Sequence, residues 1–249
     1  MAEVSGDELR GRNAVLVWDG LGTIQLRYEG AWIKQKSTLT HLVLKKLGER
    51  TVPIEAVRDV ELVMPGGHED PTIRLVLRDH ADPLLSVAGG ALNELIDPYR
   101  FDFDNAQWLL ADYYAQEIRT SIALHQLGSA PADRWLVEAP PAPTGLKGQQ
   151  GMKLALEGDE LVFDYGFATP KEKKAYGDPW RLPVAEVVAV EWQPITNKWG
   201  SNGYLRITSA RTPTDRPEPA KDPETLVTQP LAETDALFFG AKLLSMVDC

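Results

Sequence analysis

The sequence has almost no cysteine: a single residue, Cys249, in 249. One thiol excludes an internal disulfide framework and a cysteine-based zinc site. No run of about eighteen apolar residues is present, which a membrane-spanning helix needs. Met1 to Asn13 carries acids and no apolar stretch, so no signal peptide is expected there. Positive charge is in deficit, with 26 basic against 36 acidic side chains and a formal charge of −10. Nucleic-acid binders normally carry a basic face instead. These absences predict a soluble, cytoplasmic protein with no nucleic-acid partner. A hydrophobic fraction of 43% is enough to build a packed interior, in a length that fits one large or two small domains.

A duplicated plan runs through the chain. Val52-Pro53-Ile54-Glu55-Ala56-Val57-Arg58-Asp59-Val60-Glu61-Leu62 recurs as Leu182-Pro183-Val184-Ala185-Glu186-Val187-Val188-Ala189-Val190-Glu191-Trp192. Upstream, Ile24, Leu26, Tyr28, Glu29 and Gly30 line up with Met152, Leu154, Leu156, Glu157 and Gly158. Downstream, Ile73-Arg74-Leu75 answers to Leu205-Arg206-Ile207, Asp97-Pro98 to Asp222-Pro223, and Tyr113-Tyr114-Ala115 to Phe238-Phe239-Gly240. The matches keep their order, and their separation drifts by only a few residues.

Alternating apolar and polar residues in Ile24 to Tyr28 and Met152 to Leu156 predict half-buried strands. Glu29-Gly30 and Glu157-Gly158 read as tight turns, with returning strands through Trp32-Ile33-Lys34 and Leu161-Val162-Phe163. Pro53 and Pro183 read as strand starts. Ile73 to Leu77, Tyr99 to Phe103 and Tyr204 to Thr208 supply further strands. Each copy then closes with a helix, through Leu110, Tyr114, Ile118 and Ile122 in the first and Phe239, Leu243 and Val247 in the second. The expected fold is mainly β with one closing helix per domain: two tandem pleckstrin-homology-like bent β-sandwiches. A pair of small lipocalin-like barrels is the structural rival. The expected boundaries are residues 14–127 for domain 1, a Pro-rich linker at 128–150, and 151–248 for domain 2. Trp135, Leu136 and Val137 within that linker are expected to dock onto a domain. Asp79 to Asp97 and Thr212 to Pro223 are long insertions at matching places in the two copies.

Ala81-Asp82-Pro83-Leu84-Leu85, Asp97-Pro98-Tyr99-Arg100, Asp133-Arg134-Trp135-Leu136-Val137 and the opening Trp18-Asp19-Gly20 resemble a bacterial, mainly actinobacterial, family of unknown function. Members of that family resemble tandem pleckstrin-homology-like domains, some with a short C-terminal oligomerisation helix. The resemblance implies a fold; it implies no activity and transfers no functional residues.

Catalytic signatures are missing. Neither a Gly-x-x-x-x-Gly-Lys-Ser/Thr loop nor a Gly-x-Gly-x-x-Gly motif is present, and no Gly-x-Ser-x-Gly elbow occurs. His41, His68, His80 and His125 are scattered, and His68-Glu69-Asp70 reads as a solvated turn. Glu61 and Glu191 occupy equivalent repeat positions, which favours a structural role. No metal, cofactor or enzymatic activity is expected.

Two signals point to contacts. Lys34, Lys36, Lys45, Lys46 and Arg50 lie between strands of the first copy, and Lys171, Lys173, Lys174 and Arg181 lie at the matching place in the second. Trp199 stands in a polar loop, Asn197 to Gly203, where an indole has no core duty. The expected function is non-enzymatic binding or scaffolding, by recognition of a protein partner or by self-association. Anionic-lipid or small-anion binding through the lysine loops, with weak peripheral membrane contact, is the alternative. An enzyme with an unfamiliar site is the weaker one.

Overall fold

The computed structural model describes residues 8–29, 39–64, 70–125, 128–195 and 202–247. Among the described residues, fourteen short strands build four antiparallel sheets. The chain divides into two compact units: residues 1–82 with 92–138, and residues 83–91 with 139–249.

Unit 1 carries a four-stranded sheet in the order β1 (Leu9–Arg10), β2 (Val15–Trp18), β3 (Thr23–Arg27), β4 (Glu49–Pro53). Helix α1 (Leu39–Leu47) lies between β3 and β4 in the chain. A three-stranded sheet follows, β5 (Val57–Val63), β6 (Thr72–Leu77), β7 (Arg100–Asp102). Strand alternation decides which face is buried: Ile73, Leu75 and Leu77 of β6 are inside while their neighbours are half-buried. Helix α3 (Trp108–Leu124) packs on β5 through Ala111, Tyr114, Ala115 and Ile118.

Unit 2 repeats the plan with β8 (Gly145–Lys147), β9 (Lys153–Glu157), β10 (Glu160–Asp164) and β11 (Trp180–Pro183) in one sheet. The other sheet holds β12 (Val187–Gln193), β13 (Tyr204–Ser209) and β14 (Thr225–Val227). Helix α4 (Glu233–Met246) packs on β12. One more element belongs to this unit: helix α2 (Pro83–Val87), which the chain draws from the insertion of the first copy.

The duplication reaches local detail. Each copy leaves its fourth strand through one 3-10 turn, Ile54–Ala56 and Val184–Glu186. Each next strand carries a register slip, between Val57 and Asp59 and between Val187 and Ala189. Pairing also corrects the alignment read from sequence. Pro53 pairs with Thr23 and Pro183 with Glu160, so Ile24 answers to Leu161 and Tyr28 to Tyr165, not to Met152 and Leu156. The true hairpin turns are residues 19–22, where Asp19 Oδ1 accepts three backbone N–H groups, and Gly158-Asp159, where Gly158 adopts φ +66°. β3 ends at Arg27, before Glu29, and Gly30 of the expected Glu29-Gly30 turn lies outside the described residues. The two prolines end strands rather than start them, which suits a residue with no N–H to give the ladder.

The expected boundaries shift for a physical reason. A strand at Leu9–Arg10 precedes residue 14 and pairs with β2. The stretch 128–150 is not a free linker. Ala132 N–H donates to the Asp79 carbonyl, and Leu136 and Val137 N–H both donate to that of Ala81, with Val137 buried. Farther on, Gly145–Lys147 forms β8. The segment Trp32-Ile33-Lys34, together with Lys36, His68, Glu69, Trp199 and Cys249, lies outside the described residues.

Candidate functional site

Both copies build a buried polar centre at the same place. Asp97 Oδ1 accepts the Tyr99 N–H at 3.0 Å and its Oδ2 accepts Arg74 Nε at 2.9 Å. Asp222 Oδ1 accepts the Glu224 N–H at 3.0 Å, and its Oδ2 lies 3.2 Å from Arg206 Nε. Tyr28 and Tyr165 then donate their hydroxyls to the carbonyls of Pro98 and Pro223, at 3.0 and 3.1 Å. Burial pushes both phenols well above their ordinary range. A centre that recurs with the same geometry in both copies holds the turn before the last strand in place; it is part of the fold.

The copies differ around it. In unit 1, Arg50 Nη2 donates to Asp82 Oδ1 at 2.9 Å and to the Glu138 carbonyl, while Tyr99 OH donates to Asp82 Oδ2 at 2.7 Å. In unit 2, Glu224 accepts from Ser209 Oγ at 2.6 Å, from Thr212 and from Arg216.

The basic residues singled out in the sequence fall in unlike environments. Arg50 is buried against Asp82. Lys173 is 2% exposed and donates to the Thr225 carbonyl and the Met152 sulfur. Lys174 pairs with Asp178, and Arg181 with Glu157 and Glu160. Lys45, Lys46 and Lys171 are exposed. The seven of these cations that lie among the described residues therefore do not converge on one open anion site.

Lys173 carries a pH dependence. Desolvation lowers its amine to about 8 from 10.5, against a smaller upward pull from Asp222. As pH falls from 10.5 to 8 the unfolded chain takes up a proton that the folded chain refuses, so this group lowers stability by about 3 kcal/mol over that window and by a constant amount below it. Lys173→Met should therefore differ from the parent by a constant margin below pH 8. That margin should move by about 3 kcal/mol, in the parent's favour, as pH rises to 10.5. Parallel urea titrations at pH 7, 8, 9 and 10 measure it; a margin independent of pH would show that the amine is not desolvated.

A groove of about 570 Å³ lies in unit 1, lined by Pro53, Glu55, Arg78, Asp133, Arg134, Trp135 and Leu136. Arg78 is already committed, donating to the carbonyls of Glu55, Ala130 and Pro131. The lining holds no thiol, hydroxyl or imidazole. Among the described residues no group of three or more His, Cys, Asp or Glu is placed to hold a metal ion, and no helix is long and apolar enough to cross a membrane.

The two closing helices show the clearest asymmetry between the copies. Their sheet-facing residues correspond one to one: Ala111, Tyr114, Ala115 and Ile118 in α3 answer to Ala236, Phe239, Gly240 and Leu243 in α4, and all are buried. Helix α4 buries a second stripe as well, Thr234, Leu237, Phe238 and Ala241. That spacing of three, four and seven residues makes one helix face. Helix α2 packs against α4 and touches β12, with Pro83, Leu84 and Val87 turned inward. Close approach depends on Gly240: a Cβ there would stand 2.9 Å from Val87 Cγ2 and 2.8 Å from Leu205 Cδ1. The matching stripe on α3 is Leu109, Asp112, Tyr113 and Gln116, in which Leu109 is 81% and Tyr113 54% exposed, whereas Phe238 is 2% exposed. Gln116 Nε2 donates to Asp112 Oδ2 at 2.7 Å along that face.

Sequence reading missed this face. The sequence pattern follows Leu110, Tyr114, Ile118 and Ile122, of which Tyr114 and Ile118 are buried and Leu110 and Ile122 half-buried, and Leu109 and Tyr113 fall just off it. The usable signal was their mismatch with Thr234 and Phe238 at equivalent positions, together with the apolar run Pro83-Leu84-Leu85 inside an insertion.

A family model for a domain of unknown function, DUF4429, matches residues 25–119 and again residues 154–244. None of the curated proteins matches the chain.

Proposed function

The chain belongs to the DUF4429 family, a domain of unknown function present here twice, and from that premise we propose that it is a non-enzymatic binding module whose two pleckstrin-homology-like domains recognise a protein partner. One observation carries this reading. The closing helix of unit 2 already holds a short apolar helix drawn from the first copy's insertion, with Val87 of that helix set against Gly240. A closing helix of this architecture can therefore hold a helical segment from outside its own repeat.

Anion binding has less behind it. Three exposed lysines near an anionic surface contribute at most about 3 kcal/mol, weaker than millimolar on their own, and the chain's charge of −10 opposes the approach. Affinity capture of the tagged full-length chain from its own cells, at low and at moderate salt, tests the reading. The expected result is a stoichiometric protein partner that survives moderate salt and is retained when Lys45 and Lys46 are both changed to Glu. Loss of the partner in that variant, or tight sedimentation with anionic vesicles at physiological salt, would put the lysine loops in its place.

A further inference from the structure

We propose that the groove in unit 1 between residues 133–136 and the turn after β4 binds an extended, basic segment of a partner protein. A lysine or arginine of that segment lies against Trp135 and pairs with Glu55 and Asp133. This rests on the binding-module reading and names a site and a ligand chemistry within it. At about 570 Å³ the groove is in the size range that encloses a ligand. The fold does not require its carboxylate at residue 55. The second copy builds the same 3-10 turn with Ala185 where the first has Glu55, and Ala210 makes to Glu186 the backbone bond that Arg78 makes to Ala56.

Charge selects the basic residue. Glu55 and Asp133 are exposed, and neither carboxylate has an ion-pair partner among the described residues. Arg78 does not serve them, because its guanidinium is turned to the carbonyls of Glu55, Ala130 and Pro131. Arg134, the other cation of the lining, pairs with neither. On a chain of net charge −10, two open carboxylates beside an indole attract a cation, and the ring adds a cation–π contact. Half-buried Pro53 and Leu136 supply apolar walls for the methylene stem.

Backbone chemistry selects an extended peptide. The strap is pinned on either side of the groove, by Ala132 N–H to the Asp79 carbonyl and by Leu136 and Val137 N–H to that of Ala81. Between these anchors the backbone groups of Asp133, Arg134 and Trp135 make no hydrogen bond to the described residues. Trp135 Nε1 is also shielded from water and without an acceptor, a state in which an indole N–H normally has a partner. A strand laid along residues 133–135 supplies donors and acceptors to that backbone. Its carbonyls accept from the indole as the unpinned turn gives way. β4 is the edge of its sheet, so no further strand closes the groove.

The test uses the immobilised full chain and three pools of labelled, terminally blocked octapeptides, randomised except for a central arginine, norleucine or glutamate. At moderate salt the arginine pool is expected to be retained at least about tenfold better than the glutamate pool, with the norleucine pool between them. That preference should vanish in the double variant Glu55→Gln, Asp133→Asn, two exposed positions whose change leaves the core intact. Trp135→Ala should lower retention of the arginine and norleucine pools, and Trp135→Phe should keep the arginine pool ahead. Equal retention of the three pools, the parent's preference kept in the double variant, or retention unchanged in Trp135→Ala overturns the site. So does a lead for the glutamate pool that Arg134→Ala abolishes, because the groove would then hold an anion. Failure here is distinct from failure of the broader reading: a captured partner that still binds the double variant and the Trp135→Ala chain removes this site and leaves the binding module standing.

Discussion

Replacing Asp82 by Asn is expected to lower the stability of unit 1 by about 3–5 kcal/mol, a large share of the 5–15 kcal/mol typical of a whole domain. Asp82 is buried and holds two partners, the Arg50 guanidinium at 2.9 Å and the Tyr99 hydroxyl at 2.7 Å. An amide keeps the shape and removes the charge, so Arg50 is left as a buried cation held by the Glu138 carbonyl and the face of the Tyr99 ring, with no anion against it at position 82. The site cannot relieve itself by deprotonation, because a guanidinium stays protonated at any ordinary pH. Urea unfolding of the variant should show an earlier transition for unit 1. Adding Arg50→Met to Asp82→Asn should restore part of the loss, because two apolar-compatible groups cost less than one stranded charge. A double variant less stable than Asp82→Asn alone would contradict the assignment of the loss to an uncompensated charge.

Gly240→Leu is expected to cost about 1–3 kcal/mol or more by overpacking, and to loosen α2 specifically. The first added carbon would already meet Leu205 Cδ1 at 2.8 Å and Val87 Cγ2 at 2.9 Å. Leu205 sits in the middle strand of a three-stranded sheet, while Val87 belongs to a five-residue helix, so α2 is the neighbour that yields. Limited proteolysis should then cut the variant within residues 83–91 at protease levels that leave the parent whole. The equivalent residue in the first copy is Ala115, where a methyl is already accommodated. Cleavage confined to other segments would mean that α2 is not what Gly240 makes room for.

Much of the architecture was legible because it is written twice. The Pro-x-x-x-Val segment marked the same place in both copies, although its proline ends the fourth strand instead of starting one, and strand alternation in β6 and β13 located strands of the second sheet. What failed did so where local similarity competed with pairing. Glu29-Gly30 looked like Glu157-Gly158, yet the pairing of Pro53 with Thr23 and of Pro183 with Glu160 sets the copies nine residues away from that match. The lysine clusters looked like one repeated loop, but composition does not report burial. Arg50 and Lys173 are drawn inside by Asp82 and the Thr225 carbonyl, contacts with residues 32 and 52 positions away. The helix face escaped because its meaning is comparative: an exposed Leu or Tyr is ordinary by itself, and it becomes informative only when its counterpart is covered.

Thiol labelling reads that comparison directly. In a Cys249→Ser background, which removes the chain's one native cysteine, Gln116→Cys and Ala241→Cys place a thiol at the same position of the two closing helices. Gln116 is exposed and Ala241 is buried in unit 2, where α2 packs on its helix. The account predicts that the thiol at 116 reacts with a maleimide at close to the rate of a free peptide thiol. The thiol at 241 should stay protected until α2 is displaced, as by adding Gly240→Leu. Equal rates at the two positions in the folded chain would contradict it.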